Sequence, residues 1–184
     1  MKHVKKVSRR TRVVTGGLAV ALLVGGAGAW SASASTPATK PVKSAAADAN
    51  LTHSTHLTVG AATKAAQAAL HAAEKDGQKV SVAVVDRNGN TLVTLRGDGA
   101  GPQSYESAVK KAYTAVSWNA PTSELVKRLA NAPTLKDIPG TLFLAGGAPV
   151  AAEGAPVAGI GVAGAPSGDQ DETFAQAGAA ALAK

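Results

Sequence analysis

Between residues 104 and 118 the chain carries a carboxylate, two ammonium groups, two phenols and several hydroxyls. At 100° per residue, Glu106, Lys110, Tyr113, Thr114 and Ser117 gather on one side. Ala108, Ala112, Ala115 and Val116, with Val109 beside them, gather on the other. The alanine set reads as a buried stripe. The polar set has two readings: a solvated face carrying a Glu106–Lys110 pair, or a face on which Tyr113 covers a ligand. Lys111 lies off that face, about 100° from Lys110. Other candidate ligands are sparse. His53 and His56, three residues apart, could chelate a metal, although they fall in a stretch without periodicity where chance spacing explains them as well. His71 lies on the first helix near its mostly alanine face and reads as a surface or partly packed side chain. Asp169, Asp171 and Glu172 suit the first turn of a helix, where acids favour the macrodipole.

No HExxH, phosphate loop, GxSxG or close Asp/His cluster is present, which weighs against an enzyme. There is no cysteine, so disulfides, thiolate metal sites, a cysteine nucleophile and a lipoprotein anchor are excluded.

The 184 residues must place these groups on elements, and the first 34 are expected to contribute none of them. Lys2, Lys5, Lys6, Arg9, Arg10 and Arg12 form a basic start. An apolar run from Val13 to about Ala29 follows, and then Ala32-Ser33-Ala34, the small residues a signal peptidase accepts. This order predicts an export signal at 1–34, a secreted chain beginning near Ser35, and no permanent membrane anchor. Ser8-Arg9-Arg10 hints at twin-arginine export, but Arg12 interrupts the apolar positions expected after it. Six of the 19 basic residues lie in the signal, so the remainder carries 13 against 12 acids, a formal charge of +1. That near-neutral balance removes nucleic acid as a partner.

Residues 35–56, rich in Ser, Thr, Ala, Pro and Lys, read as a flexible leader, and 57–184 as one domain. Thr58 caps a helix to about Asp76. The run 80–85 is a strand, Asn88-Gly89 a hairpin turn, and 91–96 the returning strand. A helix starts near Ser104, and a short one runs from Pro121 to Leu129. Strands are expected at 141–144, 149–151 and 156–163, and Ser167 with Gln170 boxes a last helix to about Ala183. Gly159 and Gly161 alternate with Ile160 and Val162, so one face of that strand is bare and a helix or another subunit must pack close to it. The order gives an α+β fold with a central antiparallel sheet and helices covering one face.

The segments Val82-Ala83-Val84-Val85-Asp86, Asn88-Gly89, Arg96-Gly97-Asp98-Gly99-Ala100, Lys111-Ala112-Tyr113-Thr114-Ala115, Pro121-Thr122, Gly146-Gly147-Ala148-Pro149-Val150, Gly159-Ile160-Gly161-Val162-Ala163-Gly164 and Asp169-Gln170-Asp171-Glu172 resemble, in order, the signatures of the GlcG/HbpS family. The resemblance spans nearly all of 57–184. It implies a profilin-like domain, a sheet flanked by helices, and assembly into homo-oligomers, typically octamers. The exported branch of that family binds haem and iron outside the cell and serves a membrane sensor histidine kinase in redox signalling. Carried over, Thr114 would be the haem iron ligand, Lys110 or Lys111 would face the propionates, and Tyr113 would contact the porphyrin; His53 and His56 are the rival metal ligands. Threonine is a weak iron ligand beside His, Met, Tyr or thiolate, which suits a sensor or buffer. The few aromatics place a haem pocket between subunits. Two other functions stay open: an enzyme or binding module for a small organic acid or cofactor, and a ligand-free structural oligomer.

Overall fold

The computed structural model describes residues 45–183; the expected export signal at 1–34 lies outside the described residues, as does the leader up to residue 44. The elements are α1 (Val59–Lys75), β1 (Ser81–Asp86), β2 (Thr91–Arg96), α2 (Pro102–Trp118), α3 (Thr122–Arg128), β3 (Gly147–Ala152), β4 (Ala155–Ala163) and α4 (Gly168–Ala180), with short 3-10 turns at Asp48–Asn50, Pro133–Asp137 and Ala181–Ala183. No helix among the described residues is long and apolar enough to cross a membrane.

Local signals fix most boundaries. The Thr58 hydroxyl accepts the Ala61 N–H at the start of α1, and the Ser167 hydroxyl accepts the Gln170 N–H at the start of α4. Asp86 closes the β1–β2 hairpin: its carboxylate accepts the Asn88 N–H (2.8 Å), the Asn90 N–H (2.8 Å) and the Asn90 Nδ2–H (3.0 Å), while Gly89 adopts φ +86°. Burial works to raise the Asp86 pKa, but the Asn90 and Asn88 hydrogen bonds, with His56 adding its field, hold it below the ordinary value. A depressed folded pKa stabilises the fold above the unfolded value of about 4 and is lost as pH falls through the folded one. Asp86→Ala is therefore expected to cost about 1 kcal/mol at pH 6, by removing the carboxylate's hydrogen bonds to the turn. Denaturant melts at pH 6 and pH 3 should show the gap between variant and wild type shrinking at the lower pH.

The sheet is antiparallel in the order β2-β1-β4-β3, with Val84 opposite Ile160 and Ala83 opposite Gly161. Helices cover both faces rather than the single face expected from element order. The cause is legible in β1, which is buried along its whole length. Val82 and Val84 point with Ile160 and Val162 into an alanine-rich core under α1 and α4. Ala83 and Val85 point the other way, to Ala108, Ala112 and Val116 of α2. On that second face the glycines of β4 bring helix backbone onto strand backbone. A Cβ at Gly159 would strike the Ala112 carbonyl, and one at Gly161 the Ala108 carbonyl. The bare strand face is thus filled by a helix of the same chain, and it carries no indication of a subunit contact. Pro149 stands within β3, an edge strand, paired with Gly159.

Thr141–Leu144 form no strand. The segment leaves a left-handed turn at Gly140 (φ +82°), and the Leu142 N–H is taken by the Thr114 hydroxyl at 2.8 Å instead of a ladder carbonyl. Phe143 is drawn into a third cluster with Ala120 and Leu125, its ring edge-on to Trp118 at 5.3 Å.

Candidate functional site

Helix α2 brings the sequence-predicted residues together, but on three flanks rather than two. On the outer flank, Glu106 and Lys110 form an ion pair of 2.7 Å with both side chains solvated, and that pair holds the Glu106 carboxyl below its ordinary pKa. Tyr113 stands half-buried between two left-handed glycine turns: a Cβ at Gly89 would lie 2.9 Å from its ring, and one at Gly140 3.6 Å. Ser117 is exposed and bonds back to the Tyr113 carbonyl.

Thr114 does not belong to this exposed face. It is fully buried; its hydroxyl donates to the Lys110 carbonyl (2.7 Å) and accepts the Leu142 N–H (2.8 Å). Lys111 does not reach the outer flank to face a haem propionate there either. It is buried within its own chain, where Nζ donates to Asp171 Oδ2 (2.8 Å) and to the Val162 carbonyl (3.0 Å). The helical wheel divided α2 into two sides. In the structure the sheet covers one arc, while the 142–147 segment and α4 cover a second.

On that second flank lie carboxylates that the sequence reading gave to the helix dipole. Asp171 also accepts the Ala165 N–H. Burial pushes its carboxyl above the ordinary pKa, and the Lys111 ammonium and backbone donors offset only part of that. Glu172, also buried, accepts from the Thr122 and Ser123 hydroxyls and from the Ser123 and Gly146 N–H groups, tying α3 and the Gly146 turn to α4. One signal could have found this cluster. Lys111 lies at the margin of the Ala108–Ala112–Ala115 arc, and a lysine there needs a buried partner. The pair floors a groove of about 830 Å³ between α3, residues 144–145 and the start of α4.

His53 and His56 are exposed in a segment that is neither helix nor strand, so their three-residue spacing places them on no common helix face. The His56 ring bonds the Ser54 hydroxyl at 2.7 Å. No group of three His, Cys, Asp or Glu side chains that could hold a metal occurs among the described residues.

A four-stranded antiparallel sheet with α2 laid on a glycine-lined strand, and α1 and α4 on the opposite face, defines a small α+β domain of the GlcG/HbpS class. The chain belongs to the HbpS-like family, whose model, described as haem degrading protein HbpS-like, matches residues 57–180. A double Glu-to-Asp variant of Streptomyces reticuli HbpS is 80% identical, covering 78% of this chain and 97% of that one with a TM-score of 0.75. A PduOC–haem complex is 29% identical, covering 69% and 95% with a TM-score of 0.63. An uncharacterized 15.0 kDa protein of Citrobacter freundii, from the dhaT-dhaS intergenic region, is 32% identical over 125 residues, 65% of this chain and 87% of its own.

The α2 residues fit a haem unevenly. Lys110 and Tyr113 reach the surface. The Thr114 oxygen does not: it is buried and already hydrogen-bonded twice, so it offers iron no approach while the Leu142 bond is closed.

Proposed function

We propose that this protein is an exported, oligomeric haem-binding protein that reports haem or iron to a membrane sensor kinase. The observation that carries the haem reading is the close likeness of 57–180 to the HbpS-like family, supported by a more distant relative solved with haem bound. Export is supported by the basic, apolar and small-residue order of residues 1–34. The octamer and the kinase partnership rest on the resemblance to the exported branch.

On this reading haem docks on the outer flank of α2, with Lys110 toward a propionate and Tyr113 against the macrocycle. Bound haem supplies iron that can be redox-active; the chain supplies orientation and charge. Coordination by Thr114 requires the Leu142 N–H···Oγ1 bond to open, so the backbone at Leu142 would move as haem enters. His53 and His56 are the alternative ligands, and iron without porphyrin is the alternative cargo.

Haem titrated into the apo protein is expected to raise a Soret band, with the mass of the oligomer measured in parallel. Thr114→Ser keeps the oxygen and should retain the spectrum, while Thr114→Val should weaken binding and shift the band. The reverse outcome, with Thr114→Val silent and the His53/His56 double alanine variant controlling the spectrum, overturns the helix site. The family's description favours one further activity, haem breakdown. Its signature would be a Soret band that decays under peroxide with wild type and persists with a binding-only protein.

A further inference from the structure

We propose that the groove between α3, residues 144–145 and the start of α4 is a second ligand site, taking a monocarboxylate with a short apolar tail. The floor is Lys111 and Asp171, each about 5% exposed or less at the side chain. An ammonium has three donors. Asp171 and the Val162 carbonyl take two of those on Lys111, and the remaining one is available to an acceptor in the groove it lines. Both Asp171 oxygens are engaged, one by Lys111 and the other by the Ala165 N–H. The floor pair is therefore internally neutralised.

The rim adds the exposed cation Lys127 and the first turn of α4, whose N-terminal end favours negative charge. Asp169 is the opposing charge at the rim and is exposed. The Ser123 hydroxyl is spent on Glu172 and is not available. The walls between floor and rim are apolar. Val126 is half-buried, and Leu144 stands 56% exposed beside the opening. An apolar wall with a cation at its rim and a buried ammonium at its floor suits a carboxylate attached to a hydrocarbon body.

Replacing Lys111 would disturb the fold itself, so the test uses Lys127 and Leu144, neither of which enters the haem reading. Sodium octanoate titrated into the apo protein should give saturable shifts of the Val126 and Leu144 methyl signals, and 1-octanol at matched concentration should not. Lys127→Gln should weaken octanoate about three- to fivefold, the scale of an ion pair at an exposed site, and Leu144→Gln should also weaken it. Shifts that never saturate, or wild-type affinity in Lys127→Gln, overturn the site. Octanoate should bind haem-saturated protein equally well; displacement of haem by octanoate would assign the groove to haem and overturn a separate site. The octanoate titration is read without haem, so a failed haem titration leaves its result unchanged.

Discussion

Gly161→Val is expected to yield no folded protein, and even Gly161→Ala should be severely destabilised. A Cβ on Gly161 meets the Ala108 carbonyl and comes within 2.5 Å of the Ala112 nitrogen. Overpacking by a methyl group costs about 1–3 kcal/mol where neighbouring side chains can yield. Here the obstruction is the hydrogen-bonded backbone of a 17-residue helix, which can only lift away from the sheet. Lifting it would expose Ala83 and Val85 and loosen Ala108, Ala112 and Val116 together. A loss above about 4 kcal/mol follows for the alanine variant, beyond what most point mutations cause. That is a large part of a total stability of about 5–15 kcal/mol. Gly60→Ala is the control: it lies in the first turn of α1 with nothing near its Cβ position, and it should be neutral or stabilising by up to about 1 kcal/mol. Thermal melts of the three proteins decide the matter. A Gly161→Ala protein as stable as wild type would refute the backbone-on-backbone contact.

Lys111→Met should be the second most damaging change. It strands the Asp171 carboxylate, which is 3% exposed. Removing one partner of a buried pair costs about 3–5 kcal/mol, because the other charge is left uncompensated. Replacing both, as Lys111→Met with Asp171→Leu, should recover much of that loss, since apolar replacements of buried pairs are often neutral or better. The single variant carries a second signature. Burial already raises the Asp171 pKa, and loss of the ammonium raises it further. A carboxyl whose folded pKa exceeds its unfolded value disfavours the fold once ionised, so the deficit should shrink as pH falls from 7 toward about 4. Denaturant melts of the two singles and the double at pH 7 and pH 5 test both points. A double variant no better than Lys111→Met would mean that the pair's coupling is small.

Local grammar was legible throughout the domain. Thr58 and Ser167 cap the helices they were expected to cap, and the hairpin turns at Asn88-Gly89. The alternation of Gly159 and Gly161 announced a close approach. These signals act between residues near in sequence, and chain order preserves them. What escaped was set by long-range partners. Thr141–Leu144 has the composition of a strand, yet its backbone donor goes to a side chain 28 residues away. Thr114 falls on the polar side of the helical wheel and Lys111 at the margin of the alanine stripe. Only the arrival of the 142–147 segment and α4 from elsewhere in the chain decides that both are buried. Glu172 could be read as an N-terminal acid because nothing local shows that Thr122, Ser123 and Gly146 converge on it.

Pro149 bears on how copies of this chain can meet. It interrupts β3 at the third of its six residues, with no N–H to offer a strand arriving from outside. A foreign strand could not zip continuously along that margin of the sheet, whether it came from a sister molecule or from a misfolded one. Higher-order assembly at that margin is channelled toward side-chain surfaces, where shape and charge can select a partner. The same imino acid blunts that edge of the sheet against strand-on-strand growth.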